Sequence, residues 1–333
     1  MVESSLLKKI CKKVEGAAIV EAADSNLGFV DSGSLALNKI ISGKFNGGYP
    51  IGSLIEISGE SSTAKTVFII HALISAQKDG YYSVFVDNEQ ALSFDFAESL
   101  GLDLTKLIYL SPESMEDCFA AIDNTIKAIR EADKDTPIVV GYDSIGSSPT
   151  AKELDGGMGE NAEISGALRA KIAGQCLRKL NMSVRPSKAT IIVVNQLRGT
   201  LNMYGPSNSK AGGGRALKYY CGVQAISKST KRDIIFDDLK NAIGINGTIF
   251  IEKNKHTVPF QECGFTFYFK DGLDRYAGLE QILKKARKIT TPINPETGKE
   301  SKGWYVAPGF QEEKFRLKEL PEILNKFPGL LDE

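Results

Sequence analysis

The stretch SLIEISGESSTAKTVFII, residues 53–70, decides the fold. An apolar run at 54–57 leads directly into GESSTAKT, residues 59–66, and a long apolar segment follows from Val67. A strand, a glycine-containing loop and a helix in this order are typical of a P-loop, whose backbone N–H groups and helix N-terminus hold phosphate oxygens. The sequence therefore predicts a phosphate site formed by Gly59, Glu60, Ser61, Ser62, Thr63, Ala64, Lys65, Thr66 and Val67.

Two residues of this loop carry the expected chemistry, and a third departs from the P-loop pattern. Lys65 would neutralise the β- and γ-phosphates of ATP, and the Thr66 hydroxyl would bind Mg²⁺. Ala64 departs from the pattern, because a glycine usually precedes the lysine. If position 64 needs a positive φ, alanine is strained by about 1–2 kcal/mol, whereas a right-handed conformation costs little. The alternative, a chance turn before a helix, is disfavoured by the preceding strand and by the Lys-Thr pair.

Strands and helices are expected to alternate from about residue 50 onward. Continuous apolar strands separated by helices predict an α/β fold of the P-loop NTPase type, with a mainly parallel, twisted sheet flanked by helices. Farther along, β-rich segments are expected to extend this sheet by antiparallel pairing. The predicted strands are 54–57, 83–86, 107–110, 138–140, 191–194, 223–226, 248–251 and 264–269, and the helices are 67–76, 94–100, 115–132 and 164–180.

We divide the chain into an N-terminal segment 1–30, an ATPase core 31–277 and a small C-terminal α/β appendage 278–333. Apolar residues at helical spacing within 4–15 predict an amphipathic helix, which either packs on its own domain or docks on a neighbouring subunit. In the appendage, two helices at 279–287 and 318–327 are expected on either side of a turn-rich connection, TTPINPETGKESKG.

Bulk composition limits what these motifs mean. Lys+Arg and Asp+Glu are both 41, so any DNA binding would depend on local basic loops and not on a global positive field. The five cysteines form no CxxC pair and there are only two histidines, so we expect neither a disulfide framework nor a zinc centre. No signal peptide and no span of roughly 20 apolar residues is evident, and a reducing cytoplasm is expected.

Three further strands end in polar residues at the sheet edge where α/β proteins bind ligands. Glu89 is our candidate for activating the water that attacks the γ-phosphate, and a solvated strand-end acid is the alternative. Asp143, at the end of PIVVGYDS, is expected to hold Mg²⁺ through water. The amides of Asn195-Gln196, in TIIVVNQLR, would either sense the γ-phosphate or cap the following turn.

Two glycine-rich stretches of low hydrophobicity, 155–164 and 199–214, interrupt the core. Loops of this length inside a compact domain are usually functional or disordered. They are therefore the candidate ligand-binding loops, with mobile loops carrying incidental lysines as the alternative.

An ordered set of motifs resembles the bacterial RecA recombinases over about residues 28–283. The motifs are GESSTAKT, VDNEQAL, VVGYDS, MGENAE, LRKL, VVNQLR, GGGRALKYY and KNK…PF, and their joint occurrence is much more specific than a P-loop alone. The segment DGLDRYAGL, the later KGWY and the GGG of the second loop are also similar to the T-even phage UvsX recombinases. The chain is thus identified as a RecA-like protein. One interpretation is that a phage encodes it and that it lies between the two groups.

The resemblance implies roles for individual residues. It implies that Glu89 is the catalytic glutamate, that Gln196 couples ATP to DNA binding, and that Phe96 stacks on the adenine. Lys253 and Lys255, in IEKNKHTVPF, match lysines that reach a neighbour's ATP and stabilise γ-phosphate charge as arginine fingers do. Without the resemblance, the same two lysines would be interpreted as a solvated strand edge.

The resemblance also implies that the two glycine-rich stretches bind DNA. In the first, Met158 would wedge between bases, while Lys171 and Arg178 would follow the DNA backbone. The second mixes cations with apolar and aromatic side chains, which suits phosphate neutralisation combined with base stacking. Its candidates are Arg198, Leu201, Met203, Tyr204, Lys210, Gly213, Gly214 and Arg215.

At the level of the whole protein, the resemblance implies ATP and Mg²⁺ as cofactors and single-stranded DNA plus homologous duplex as partners. It implies a helical homo-oligomer, with Lys218, Tyr219 and the segment 1–30 at subunit interfaces. Single-strand-binding and loader proteins are further expected partners, and the expected location is the cytoplasm of a bacterial or phage-infected cell. Two alternatives stay open: a helicase or motor ATPase on the same core, and a non-catalytic filament or mediator protein weakened at Ala64.

Overall fold

The computed structural model describes residue 13 and residues 27–155, 166–198, 210–211, 216–293 and 299–332. The predicted N-terminal helix at 4–15, apart from residue 13, and the segment GAAIVEA at 16–22 lie outside the described residues.

Strands and helices alternate through the first two thirds of the described chain. The strands are β1 Phe29–Val30, β2 Tyr49–Pro50, β3 Leu54–Gly59, β4 Tyr82–Asp87, β5 Leu107–Leu110, β6 Ile138–Asp143, β7 Ala189–Arg198, β8 Lys210–Ala211, β9 Val223–Lys228, β10 Ile234–Phe236, β11 Ala242–Asn254, β12 Glu262–Tyr268, β13 Gly272–Leu273, β14 Tyr305–Ala307 and β15 Gln311–Phe315. The α-helices are α1 Leu35–Ser42, α2 Lys65–Lys78, α3 Phe94–Ser99, α4 Met115–Ala132, α5 Ala151–Asp155, α6 Gly166–Val184, α7 Ala216–Tyr220, α8 Leu279–Lys285 and α9 Leu320–Lys326. Short 3-10 helices lie at Leu104–Lys106, Lys231–Asp233, Leu317–Glu319 and Pro328–Leu331.

A large sheet forms the centre of the molecule, with the strand order β13-β12-β11-β9-β3-β7-β6-β4-β5. The six strands from β9 to β5 run parallel, whereas β11, β12 and β13 add to the sheet by antiparallel pairing. β10 pairs with β11, and β8 pairs with β7. The predicted α/β class, the mainly parallel sheet and its antiparallel extension are confirmed.

Most of the parallel strands extend beyond the predicted apolar runs at their C-terminal ends. β4 continues to Asp87, β6 to Asp143, and β7 past Gln196 to Arg198. The apolar pattern marks only the buried part of a strand, while the backbone ladder continues into the polar edge. The same extension therefore brings the candidate side chains to one edge of the sheet.

Helices cover both faces of the sheet, as parallel strands require. α1 and α2 pack on one face, and α4 and α6 on the other. Nine of the fourteen residues of α2 are buried, which explains its nearly uniform apolar sequence. The fit is tight, because a Cβ added at Gly141 on β6 would lie 2.1 Å from Cγ2 of Ile69.

The C-terminal part contains the two predicted helices, α8 and α9, and an antiparallel hairpin, β14–β15, that was not predicted. The hairpin strands are short, and β15 has the charged sequence QEEKF, so no apolar alternation marked them. A separate apolar cluster joins these elements and also contains Leu35 and Phe45 from the N-terminal side of the core. Among the described helices, none combines the length and apolar character needed to cross a bilayer.

His71 joins α2 to the end of the sheet. Its Nε2 accepts a hydrogen bond from the Leu273 backbone N–H at 3.0 Å. Burial lowers its pKa to about 4, with Lys78 adding repulsion and Asp31 opposing it. Because an unfolded histidine has a pKa near 6.5, the unfolded chain takes up this proton first as the pH falls. The contribution of neutral His71 to stability is therefore complete above about pH 6.5 and is lost towards pH 4.

As the pH falls from 6.5 to 4, we expect protonation of His71 in the unfolded chain to lower the free energy of unfolding by about 2–3 kcal/mol. His71→Gln keeps a hydrogen-bond acceptor but cannot titrate, so its unfolding free energy should vary less over the same range. Urea unfolding of both proteins at several pH values measures the difference. Both proteins contain His256, so its contribution to the pH dependence of stability cancels in the comparison. Identical pH slopes would contradict this role of His71.

Candidate nucleotide-binding site

The loop 59–66 is held by the strands on both sides of β3. Gly59 pairs in register with Gln196 on β7 and with Ser227 on β9. A Cβ at Gly59 would lie 2.5 Å from the Ser227 carbonyl oxygen, so this position requires glycine. The Ser227 hydroxyl donates to the Thr63 carbonyl at 2.7 Å, and the Thr63 hydroxyl donates to the Glu60 carbonyl at 2.9 Å. These contacts hold the loop in place between β7 and β9.

Lys65 opens α2 and is buried. Its ammonium group donates to the Glu60 carbonyl and lies 3.5 Å from the Thr63 hydroxyl, so it folds back over the loop. Burial lowers its pKa, while Asp143, Glu89 and Glu60 oppose that shift. A cation with little solvation and a backbone partner is ready to exchange that partner for phosphate oxygens.

Ala64 adopts the left-handed conformation, with φ 60° and ψ 20°, immediately before α2. The position thus needs the positive φ that glycine adopts without strain, and alanine costs about 1–2 kcal/mol there. The departure from the P-loop pattern therefore carries a real conformational cost.

Ala64→Gly should raise the free energy of unfolding by about 1 kcal/mol, because the relief of strain exceeds the added entropy of the unfolded chain. Ala120→Gly is the matched control, since Ala120 is exposed within α4. There the same substitution should lower stability by about 1 kcal/mol. Denaturant unfolding measures both, and a destabilised Ala64→Gly protein would show that the loop does not strain residue 64.

The ends of β4 and β6 place three acidic residues beside the loop. Thr66 Oγ1 donates to Asp143 Oδ2. Glu89 is exposed on the cavity wall, and its Oε1 accepts from the Ser144 hydroxyl at 3.0 Å. Asp87 is buried and accepts from the Leu92 N–H at 2.9 Å and the Tyr109 hydroxyl at 3.2 Å. Glu89 is therefore the acid left facing open space, while Asp87 holds the following turn.

The charge around Asp143 suits a divalent cation. Burial raises its pKa to about 6, and repulsion from Glu89 and Asp87 adds to the shift, whereas Thr66 and Lys65 oppose it. Several carboxylates thus converge on one lysine beside the phosphate loop. Carboxylate and hydroxyl oxygens are hard donors of the kind that Mg²⁺ accepts, so Thr66 and Asp143 fit the predicted magnesium site.

A cavity of about 950 Å³ opens over the loop. It brings loop residues 60–66 together with Glu89, Asp143 and Gln196. Its other end is apolar and is lined by Ile245, Phe267 and Phe269. Phe96, the residue expected to stack on the adenine, is not among the lining residues in the described chain. Its ring lies 6.3 Å from that of Phe267, in an edge-to-face contact.

Several lining residues were missed from the sequence. Ser229, Thr230 and Lys231 lie between β9 and β10, where Thr230 and Asp233 form a capping box around the short 3-10 helix. The spacing T-x-x-D was a usable signal for that cap, but it carries no indication of a nucleotide. Phe267 and Phe269 belong to a predicted β-rich segment, but the sequence does not show where this segment joins the sheet, so their position in the cavity could not be predicted.

Comparison with known proteins assigns the chain to a family. A model of the RecA N-terminal domain matches residues 2–274, most of the chain. The chain belongs to the RecA family. The chromosomal RecA protein of Lactococcus lactis subsp. lactis (strain IL1403) is 31% identical in an alignment 343 positions long, which covers 99% of this chain and 83% of the relative. RecA of Streptomyces ambofaciens is 30% identical in an alignment 310 positions long, which covers 91% of this chain and 77% of that relative. RecA of Limosilactobacillus reuteri (strain DSM 20016) is 29% identical in an alignment 329 positions long, which covers 96% of this chain and 84% of that relative.

RecA membership supports ATP binding, DNA binding and a role in DNA recombination and repair. At the family level it implies a DNA-dependent ATPase that uses ATP with Mg²⁺.

The two lysines expected to act on a neighbour's nucleotide lie far from this cavity. Lys253 is opposite Gln224, which is opposite Glu56, three residues before Gly59 on β3. This register separates Lys253 from Gly59 by about 10 Å along the strands and about another 10 Å across them. Its ammonium group donates to the Lys218 carbonyl and lies 3.4 Å from the Tyr219 carbonyl, at the end of α7. Lys255 is exposed one residue beyond β11.

Few of the RecA-type DNA-binding candidates fall within the described chain. Lys171 and Arg178 are exposed on α6, and Arg178 Nε donates to the Tyr220 hydroxyl at 3.3 Å. The backbones of Arg198 and Lys210 pair between β7 and β8 at the base of the second loop. The other candidates lie outside the described residues: Met158, Leu201, Met203, Tyr204, Gly213, Gly214 and Arg215.

Proposed function

We propose that this RecA-family protein polymerises on single-stranded DNA with ATP and Mg²⁺, pairs the bound strand with homologous duplex and exchanges the strands. ATP hydrolysis then turns the filament over. One observation carries the proposal: Lys65, Glu89 and Gln196 meet at one edge of the sheet, whereas Lys253 and Lys255 lie towards the opposite edge. A lysine side chain cannot span that distance within one chain. A head-to-tail neighbour would bring the second edge to the first, and repetition of such a contact gives a helical filament.

Within the cavity, the chain's own residues suit phosphoryl transfer to water. Lys65 and the loop amides would hold the phosphates, and Glu89 would orient and deprotonate the attacking water. The hydrogen bond from the Ser144 hydroxyl to Glu89 supports this role, because it would hold the carboxylate in place. Bound Mg²⁺ would supply neutralisation of phosphate charge, with Thr66 and, through water, Asp143 holding it. The neighbour's Lys253 and Lys255 would add positive charge where negative charge develops in the transition state.

β7 gives a direct route from nucleotide to DNA. Gln196 lines the cavity, and the same strand continues through Arg198 into the β7–β8 pairing that closes the base of the second candidate DNA loop. A movement of Gln196 towards a γ-phosphate would therefore pull on the start of that loop. This supports a filament in which the nucleotide state sets DNA affinity.

The proposal is tested by ATP hydrolysis with and without single-stranded DNA, combined with electron microscopy of the same mixtures. We expect hydrolysis to rise on addition of DNA, and filaments to form only when both DNA and ATP are present. Hydrolysis that ignores DNA, together with an absence of DNA-dependent filaments, would reject the proposal.

A non-catalytic mediator is the second candidate, and the left-handed conformation of Ala64 is the observation that favours it. Strain at residue 64 would favour other conformations of the phosphate loop, which nucleotide binding would have to reverse, whereas a filament interface would be unaffected. Titration of wild type and Ala64→Gly with ATP separates the two functions. Measurable ATP binding and turnover by wild type supports the recombinase, whereas binding only by the glycine variant supports the mediator.

A further inference from the structure

A carboxyl group is buried in the middle of the central sheet, at Glu56 on β3. The residue is only 4% exposed and lies on the sheet face that α4, α6 and α7 cover, as its neighbour Leu54 does. Burial raises the pKa of this carboxyl group, and hydrogen bonds from Asn195 and Gln224 oppose the shift. An apolar side chain would serve stability at least as well at this position. The presence of a carboxyl group here therefore needs a reason other than packing.

Glu56 joins the two strands that flank β3. Its Oε1 accepts from Asn195 Nδ2 at 2.8 Å, and its Oε2 accepts from Gln224 Nε2 at 2.5 Å. Asn195 immediately precedes Gln196, which lines the nucleotide cavity. Gln224 is the register partner of Lys253, whose ammonium group contacts the last turn of α7. Side-chain hydrogen bonds thus join Asn195 to Gln224 through Glu56, and backbone pairing continues this path from Gln224 to Lys253 at the lysine edge.

The path ends beside the helix that follows the second candidate DNA loop in the sequence. α7 begins directly after residues 199–215, and Lys253 holds the Lys218 carbonyl in that helix. Glu56 contacts Asn195 on β7, the strand that precedes the loop, and Gln224 on β9, the strand that follows α7. In addition, Gln224 Oε1 is buried and accepts no hydrogen bond from the described residues, so its amide is oriented mainly by Glu56.

We propose that Glu56 is a positioning residue that couples Gln196 to Lys253 and α7, so that nucleotide binding in one chain is transmitted to the DNA loop and to the lysines acting on the neighbour. Glu56 touches neither nucleotide nor DNA in this role. It acts by fixing the Asn195 and Gln224 side chains from the two sides of β3. The proposal rests on the proposed function and adds a means of coupling to it.

The test compares the DNA-stimulated and DNA-free ATP hydrolysis of full-length variants. Gln224→Met removes one contact of Glu56 with little change in volume, and Glu56→Leu removes both. Each should lower stimulation by DNA about tenfold or more, the size of a typical coupling energy. DNA-free hydrolysis and nucleotide affinity should stay within about threefold of wild type, because Lys65, Glu89 and the loop are untouched. Glu56→Gln should keep most of the stimulation, since Gln224 can turn its amide and maintain both contacts.

Thr190→Val is the matched control for loss of a buried hydrogen bond in the same sheet. Thr190 lies near the start of β7 and donates to the Pro50 carbonyl at 3.2 Å, away from the Glu56 path. DNA should stimulate ATP hydrolysis by the Thr190→Val variant as much as it stimulates hydrolysis by wild type.

The possible results separate the coupling from the proposed function. If Glu56→Leu fails to fold, Gln224→Met still decides the matter. Wild-type stimulation in Gln224→Met would overturn the coupling by Glu56 while leaving the recombinase proposal intact. Equal losses of stimulation and of nucleotide affinity would mean a purely structural role and would also overturn it. A wild-type protein that DNA does not stimulate would reject both proposals.

Discussion

Replacing Lys253 and Lys255 together by alanine is expected to lower DNA-stimulated ATP hydrolysis about a thousandfold, the smaller end of the effect of an arginine finger. Binding of nucleotide to the isolated chain should be unchanged, because the strand register places both lysines far from the chain's own cavity. DNA-free hydrolysis should also be little affected. Steady-state hydrolysis with and without DNA, and nucleotide titration of the monomer, measure these three quantities.

Lys106→Ala combined with Lys127→Ala is the control for the loss of two positive charges. Both side chains are about two thirds exposed and form ion pairs with the nearby Asp103 and Asp123. This control should hydrolyse ATP within about twofold of wild type, as expected for exposed pairs. If the Lys253 and Lys255 variant keeps full stimulation by DNA, or loses nucleotide affinity as a monomer, the role of these lysines in a neighbour's site is refuted.

Glu89→Gln should lower hydrolysis by about 10²–10⁴-fold, the usual contribution of a general base. The amide is close in shape to the carboxylate and can still accept from the Ser144 hydroxyl, so the change removes basicity more than structure. ATP binding and DNA binding should persist, and filaments should become longer-lived because they cannot turn over. Single-turnover hydrolysis and filament lifetimes by microscopy measure the two effects.

Glu98→Gln provides the comparison, because Glu98 is an exposed glutamate on α3 outside the cavity lining. It should behave as wild type in both assays. Hydrolysis by Glu89→Gln within about fivefold of wild type would exclude Glu89 as the general base, leaving the alternative of a solvated strand-end acid.

Local sequence predicted the parallel core because each strand was a continuous apolar run and helical segments separated the strands. The order of a strand, GESSTAKT and an apolar helix placed Lys65 and Thr66, and the strand-end positions of Glu89, Asp143 and Gln196 placed those three beside them. Parallel strands share one C-terminal edge, so residues far apart in sequence could be expected to meet there.

Interactions that depend on how strands pair across the sheet could not be predicted from the sequence. Ser227 supports the loop only because β9 is the neighbour of β3, and Glu56 contacts Gln224 for the same reason. The apolar end of the cavity comes from Phe267 and Phe269, whose position depends on how β12 joins the sheet. The conformation of Ala64 was left open by the sequence, because alanine occurs in helices far more readily than in left-handed turns, and the fold sets φ there.

The most direct test of a nucleotide site shared between neighbouring copies is a mixing experiment on single-stranded DNA. Glu89→Gln lacks the base in its own cavity but offers intact Lys253 and Lys255, whereas the double lysine variant has the opposite defect. In an equal mixture that polymerises at random head to tail, about a quarter of the interfaces combine both intact halves. We therefore predict that the mixture recovers about a quarter of wild-type DNA-stimulated hydrolysis, far above either variant alone. Hydrolysis no greater than the mean of the two separate variants would contradict the shared site.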